Sequence, residues 1–169
     1  MNQNVQHVGS RLLKTNSMEL AWYITGFADG EGCFSVSFNK REKLKSGIEI
    51  RPSFSLAQNK KNLQVLKIIN TYFGCGAIRF SMNDQTYRYE VRSIKDLQTK
   101  VIPHFKKYPL QTAKISDFIK FEHICKLISQ SKHLNEGYLE EIIEMAYSMN
   151  ESGSRKYTRQ DLLKIFEAR

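Results

Sequence analysis

With 169 residues, 41% of them hydrophobic and 11% aromatic, the chain can bury one sizeable core, and one domain with a trailing appendage is expected. Lys and Arg outnumber Asp and Glu by 26 to 17, a net charge of +9 that points to a polyanionic partner, nucleic acid ahead of an anionic membrane. No apolar run approaches the ~20 residues of a membrane span, and Cys33, Cys75 and Cys125 form neither a CxxC pair nor a zinc spacing with the histidines, which leaves reduced core thiols and an intracellular compartment as expectations.

Residues 1–17 read as an N-terminal arm; Arg11 and Lys14 precede the first acid, Glu19, a pattern that also fits a transit peptide. Asn16 or Ser17 can cap a helix over residues 18–28, with Leu20, Ile24 and Phe27 on one stripe. Residues 33–40 then alternate, Phe34, Val36 and Phe38 against Ser35, Ser37 and Asn39. After a charged turn, residues 48–58 alternate again, with Pro52 demanding a local edge or bulge. A helix over 62–73 ends at Gly74 and Gly76, and a second hairpin spans 77–93 around Asp84 and Gln85. A short helix over 94–105 carries Pro103 near its end, and a longer one starts near Gln111 with Phe118, Phe121, Ile124 and Ile128. Gly137 is expected to interrupt before a helix over 138–149; residues 150–157 read as a flexible joint, and a capped helix over 158–167 closes the chain. Four strands with helices segregated to one face make an α+β fold.

The two hairpins leave one sheet face lined by Ser35, Ser37, Asn39, Arg41, Arg51, Ser53, Ser55, Arg79, Ser81, Arg88, Glu90 and Arg92. Arg and Asn can donate paired bonds to base edges, short Ser side chains allow close or water-mediated approach, and an antiparallel ribbon fits the major groove. Lysines in turns and at element ends, among them Lys40, Lys60 and Lys107, suit phosphate contact. An ordinary solvated face would carry Glu and Thr as often as Arg, whereas the alternating strand positions, with Glu49 counted and the turn residue Arg41 left out, hold four Arg against two Glu.

The stretch "GFADGEG" raises a separate question. Gly26 and Gly30 lie one helical turn apart, so two such helices could meet backbone to backbone. Asp29 and Glu31 sit at the C-terminal end, where the helix dipole disfavours negative charge. A divalent cation held by Glu31 and a nearby carbonyl would resolve this; so would plain turn chemistry, since Asp-Gly and Glu-Gly are common turn pairs.

"YITGFADGEG" resembles the signature of the LAGLIDADG homing endonucleases, with Ile24 to Gly32 on its nine positions. The blocks "FSLAQNKKNLQVLKIINTYFGCGAI" and "VRSIKDLQTKVIPHFKKYPLQTAKISDF", and "KHL" with its following helix, extend the likeness over residues 19–149. The resemblance implies an αββαββα domain over 18–150, its antiparallel, saddle-shaped sheet on DNA and its helices on the other face, with extra C-terminal helices over 151–169. It further implies a Mg²⁺-dependent DNA endonuclease that makes double-strand breaks across the minor groove, two or more metal ions being shared at a dimer axis. On that reading Glu31 is the catalytic metal ligand, helped by the Gly30 carbonyl, while Asp29 is structural. Gln58 matches the polar residue that organises metal-bound water, and Lys114 the lysine near the scissile phosphate, with Lys107 as its rival. One motif per chain implies a homodimer joined through Trp22, Tyr23, Gly26, Phe27 and Gly30, and therefore a pseudo-palindromic target. Glu stands where the family often has Asp, and Thr25 and Ala28 depart tolerably from the pattern. A non-cleaving maturase, with intron RNA as partner, or a DNA-binding regulator is the alternative on the same scaffold. The compartment is an organelle, mitochondrion or chloroplast, or the bacterial cytoplasm, and the target sequence is not legible.

Overall fold

The computed structural model describes residues 16–150 and 155–168, so residues 1–15 of the expected N-terminal arm and residues 151–154 of the expected joint lie outside the described residues. Helix α1 (Ser17–Glu31) starts where the Asn16 side chain accepts the Met18 N–H at 3.1 Å. It runs three residues past the predicted end, and strand β1 (Gly32–Lys40) follows with no loop between. Strand β2 (Ile48–Asn59) pairs antiparallel with β1, Phe34 opposite Phe54. After a 3₁₀ turn, helix α2 (Leu63–Phe73) ends at Gly74 in the left-handed conformation, φ 57°. Strands β3 (Ala77–Ser81) and β4 (Thr86–Val91) complete an antiparallel sheet of order β1-β2-β4-β3. Pro52 finds its local edge: β4 pairs with β2 only from Phe54 onward, so at Pro52 β2 has one neighbour.

The next helical stretch is not one regular helix. Helix α3 (Ile94–Asp96) passes into a π-helical turn, Leu97–Val101, before helix α4 (Ile102–Lys107). Pro103, inside α4, lacks an N–H and crowds the carbonyl one turn back, and the widened turn accommodates both effects. Helix α5 (Lys114–Ser129) begins later than the spacing predicts, and the segment before it is held by the Asp29 carboxylate, which accepts the Gln111 and Thr112 N–H groups. Gly137 interrupts nothing; it lies in the first turn of helix α6 (Glu136–Tyr147). The break comes earlier, at Ser131 with φ 56°, followed by the 3₁₀ turn Lys132–Leu134.

The core is aromatic and joins sheet to helices. The Phe34 ring lies 5.1 Å from Phe54 and 5.3 Å from each of Phe105, Phe118 and Phe121, so β1, β2, α4 and α5 share one cluster. Helix α7 (Arg159–Glu167), opened by a Thr158–Asp161 capping box, buries Leu162 completely in the same cluster. Asn150 donates to the Phe34 carbonyl at 2.7 Å and Arg155 to the Val36 carbonyl at 2.8 Å, which closes the free edge of β1.

Thr25, on the buried side of α1, belongs to a polar relay. Its hydroxyl donates to the Tyr108 carbonyl at 3.0 Å, so at 3.1 Å it must accept from His104 Nε2–H, and His104 Nδ1 accepts from the Tyr72 hydroxyl at 2.9 Å. Burial lowers the His104 pKa from 6.5 to about 4. Between those values the unfolded chain takes up a proton that the folded chain refuses. The stability tied to neutral His104 is therefore complete above pH 6.5 and is lost as pH falls toward 4, on the order of 3 kcal/mol in all. Urea unfolding of the wild type and of His104→Gln at pH 7.5, 5.5 and 4.5 should show a fall in wild-type stability that the variant largely lacks; parallel falls would remove His104 as the cause.

Candidate functional site

The two acids at the foot of α1 have different fates. Asp29 Oδ2 accepts the Gln111 N–H at 2.7 Å and the Thr112 N–H at 3.2 Å, while Oδ1 accepts the Thr112 hydroxyl at 2.5 Å. Burial works to raise the Asp29 pKa, but the Thr112 hydroxyl, the two N–H groups and the Lys114 ammonium outweigh it and hold the carboxyl below its ordinary value. Asp29 is thus an anchor between α1 and the segment before α5. Glu31 is exposed and, among the described residues, accepts no hydrogen bond and joins no ion pair.

Lys114 explains why acids are tolerated at a helix end with no basic residue in its last turn. Its Nζ donates to the Ala28 carbonyl at 3.0 Å and to the Gly32 carbonyl at 2.5 Å, neutralising the negative pole from 82 residues away in sequence. Lys107 instead lies 5.4 Å over the Tyr108 ring, which packs edge-on against Trp22 at 5.3 Å. Trp22 and Glu31 are nine residues apart, about 13 Å along the helix, so of the two lysines it is Lys114, bonded to the Gly32 carbonyl, that lies at the Glu31 end. Gly32 admits no other residue: a Cβ there would meet the Ala28 carbonyl oxygen at 2.5 Å. Gln58, one residue before the end of β2, lies at the same end of the sheet, since Gly32 stands opposite Leu56, and its Oε1 accepts from Asn62 Nδ2 at 2.9 Å.

On the polar face a groove starts at Glu31 and brings together Ser35, Ser37, Arg51, Ser53, Ser55, Arg88, Glu90 and Arg92 of the expected residues. Asn39 lies further along β1, opposite Glu49, and Arg41 follows in the turn. Arg79 and Ser81 occupy the far edge strand, opposite Arg88 and Thr86. Sequence reasoning missed Cys33 and Ala57, which also line the groove and which the same alternation could have included. It also missed Glu49, which binds Arg41 Nε at 3.0 Å and Arg51 Nε at 2.9 Å, and Thr112, for which no sequence signal exists.

Along the outward side of α1, Met18, Trp22, Gly26 and Gly30 form an exposed row at four-residue spacing. Nothing lies within 4 Å of a Cβ placed on Gly26 or Gly30. Tyr23 and Phe27 flank the row half-buried, their rings stacked 6.1 Å apart. Among the described residues no three His, Cys, Asp or Glu side chains converge as metal ligands. Glu31 and the adjacent Gly30 carbonyl offer oxygen donors only, a chemistry that suits a hard cation. No helix among the described residues is long and apolar enough to cross a membrane.

Residues 24–125, more than half of the chain, match the family model described as LAGLIDADG endonuclease. The chain is 41% identical over 117 residues to an uncharacterized 50.9 kDa protein in ND4 intron 1 of Podospora anserina, covering 68% of this chain and 26% of that protein. It is 36% identical over 129 residues to the probable intron-encoded endonuclease 2 of Neurospora crassa, covering 76% and 28% of the two chains. It therefore spans about a quarter of the length of these fungal relatives. Among solved structures it is similar to the archaeal intron-encoded homing endonuclease I-Vdi141I complexed with DNA, at a TM-score of 0.83 and 30% identity, over 90% of this chain and 98% of that one.

Proposed function

The chain belongs to the LAGLIDADG endonuclease family, and we propose that it is a homing endonuclease that makes double-strand breaks at a long, pseudo-palindromic DNA site as a Mg²⁺-dependent homodimer. The observation that carries this reading is the position of Glu31, an uncommitted carboxylate where the open glycine row of α1 meets the polar groove of the sheet. Two copies paired along that row would bring a second Glu31 to the same place and continue the groove into a second half-site.

Glu31, with the Gly30 carbonyl, is the group that would hold a divalent metal. When bound, such a metal neutralises phosphate charge and lowers the pKa of a water to make the nucleophile. Gln58, whose carbonyl is engaged by Asn62, keeps an amide donor to orient that water. Lys114 adds positive charge at the helix end that carries Glu31 while fixing that end. Residues 18–150 form the catalytic unit in this reading, and residues from 151 onward an appendage. The setting is a genome that carries introns of this kind, in an organelle or a bacterial cell.

The test is a plasmid library carrying duplex sites selected by the protein. Linear product in Mg²⁺, with binding but no product in Ca²⁺, is the expected result. Binding without cleavage in Mg²⁺, Mn²⁺ and Ca²⁺ alike would overturn the nuclease and favour a maturase or a regulator.

A further inference from the structure

The polar face is organised in cross-strand rows that differ in what they can read. In the row nearest Glu31, Ala57 of β2 stands opposite Arg88 of β4, and Arg88 opposite Arg79 of β3. The next two rows carry only short side chains on β1 and β2: Cys33 opposite Ser55, then Ser35 opposite Ser53. The Ser35 and Ser53 hydroxyls bond each other at 3.0 Å, and Ser53 and Ser55 are only 9% and 8% exposed. On β4 beside this floor, Glu90 and Arg92 bind each other at 2.9 Å. Long side chains return beyond it, where Arg51 faces Ser37 and Glu49 holds Arg51 and Arg41.

Arg79 and Arg88 are like charges placed directly opposite, and among the described residues neither meets an acid. Such a pair destabilises a sheet unless a partner supplies the counter-charge. Arg88 rises from the groove itself, not from a turn, and the small Ala57 beside it leaves room for a base edge. Arginine is the side chain that donates paired bonds to guanine O6 and N7. The serine floor, short and partly self-satisfied, reaches bases through water and discriminates weakly. Arg51 is steered by its bond to Glu49 and keeps further N–H donors for a base.

The geometry points to a bipartite half-site: an inner block with guanine read by Arg88, an outer block read by Arg51 under the control of Glu49, and a permissive stretch between them. Ala57 and Arg51 are six residues apart, about 20 Å along β2, or about six base pairs of duplex. This inference rests on the proposed DNA-binding role of the sheet.

A pool of duplexes with randomised half-sites, captured by the full chain in Ca²⁺ and sequenced, tests it. Two specified blocks about six base pairs apart are expected, with guanine in the inner one. Arg88→Ala should reduce the inner guanine preference about tenfold or more and leave the outer block intact, which also shows that the variant is folded. Arg51→Ala should do the reverse. Specificity peaking over the serine floor would overturn the inference. So would an Arg88→Ala variant that weakens all sequences equally, since Arg88 would then contact phosphate. Capture of no duplex above background would remove the DNA-binding role itself, and this inference with it.

Discussion

Glu31→Gln binds its selected duplex with near-wild-type affinity and cuts it about a thousandfold or more slowly, because a metal's charge stabilisation is worth several kcal/mol and each 1.4 kcal/mol is about tenfold in rate. The substitution keeps the shape of the side chain and removes only its charge. Glu31 accepts no hydrogen bond among the described residues, so the fold has nothing to lose. Because Lys114 already neutralises the negative end of α1, removing the acid should change the folding stability little. Asp29→Asn is the control, since its carboxylate holds Gln111 and Thr112. That variant should unfold more easily, by roughly 1.5–3 kcal/mol if a charged hydrogen bond is lost. Gel-shift and cleavage rates, with urea unfolding of both variants, check the contrast. Wild-type cutting by Glu31→Gln would take Glu31 out of the metal site.

That contrast also shows what was legible in the residues and what was not. Strands β1 and β2 were legible because Phe34, Val36 and Phe38 on one and Phe54 and Leu56 on the other bury one face and leave serines on the opposite face. The end of α1 was not, because the groups that extend it, Lys114 and Thr112, come from beyond four strands and several helices. Gly137 misled because glycine weakens helices on average, yet the first turn of a helix tolerates it; the true break at Ser131 depends on backbone geometry that serine does not advertise. In the site, the resemblance separated Glu31 from Asp29; the hydrogen bonds tie Asp29 to the segment before α5 and, among the described residues, leave Glu31 unengaged. The double role of Glu49 was half legible: Arg51 lies two residues along the same face of β2, but Arg41 meets Glu49 only once the β1–β2 turn has folded. Row composition on the sheet likewise needs register, which alternation alone leaves open.

Register matters again where two copies of α1 would meet, and there glycine makes an expected result run against intuition. In an isolated chain, Gly26→Ala should be stabilising by about 1 kcal/mol, since Ala is the better helix former and nothing lies within 4 Å of the new Cβ. If the exposed row of α1 is the contact between two subunits, the same methyl holds the backbones apart, and Gly26→Leu holds them further apart. The monomer gains while the assembly fails. At dilutions where the wild type dissociates, both variants should unfold at or above the wild-type midpoint. At working concentration, sedimentation should show Gly26→Leu as a monomer, and double-strand cleavage should vanish with the dimer, because a lone chain offers a single Glu31. Gly26 lies more than a turn from Glu31, so a loss of cutting tracks assembly and not the carboxylate itself. A Gly26→Leu protein that stays dimeric and cuts both strands would place the subunit contact somewhere other than this row.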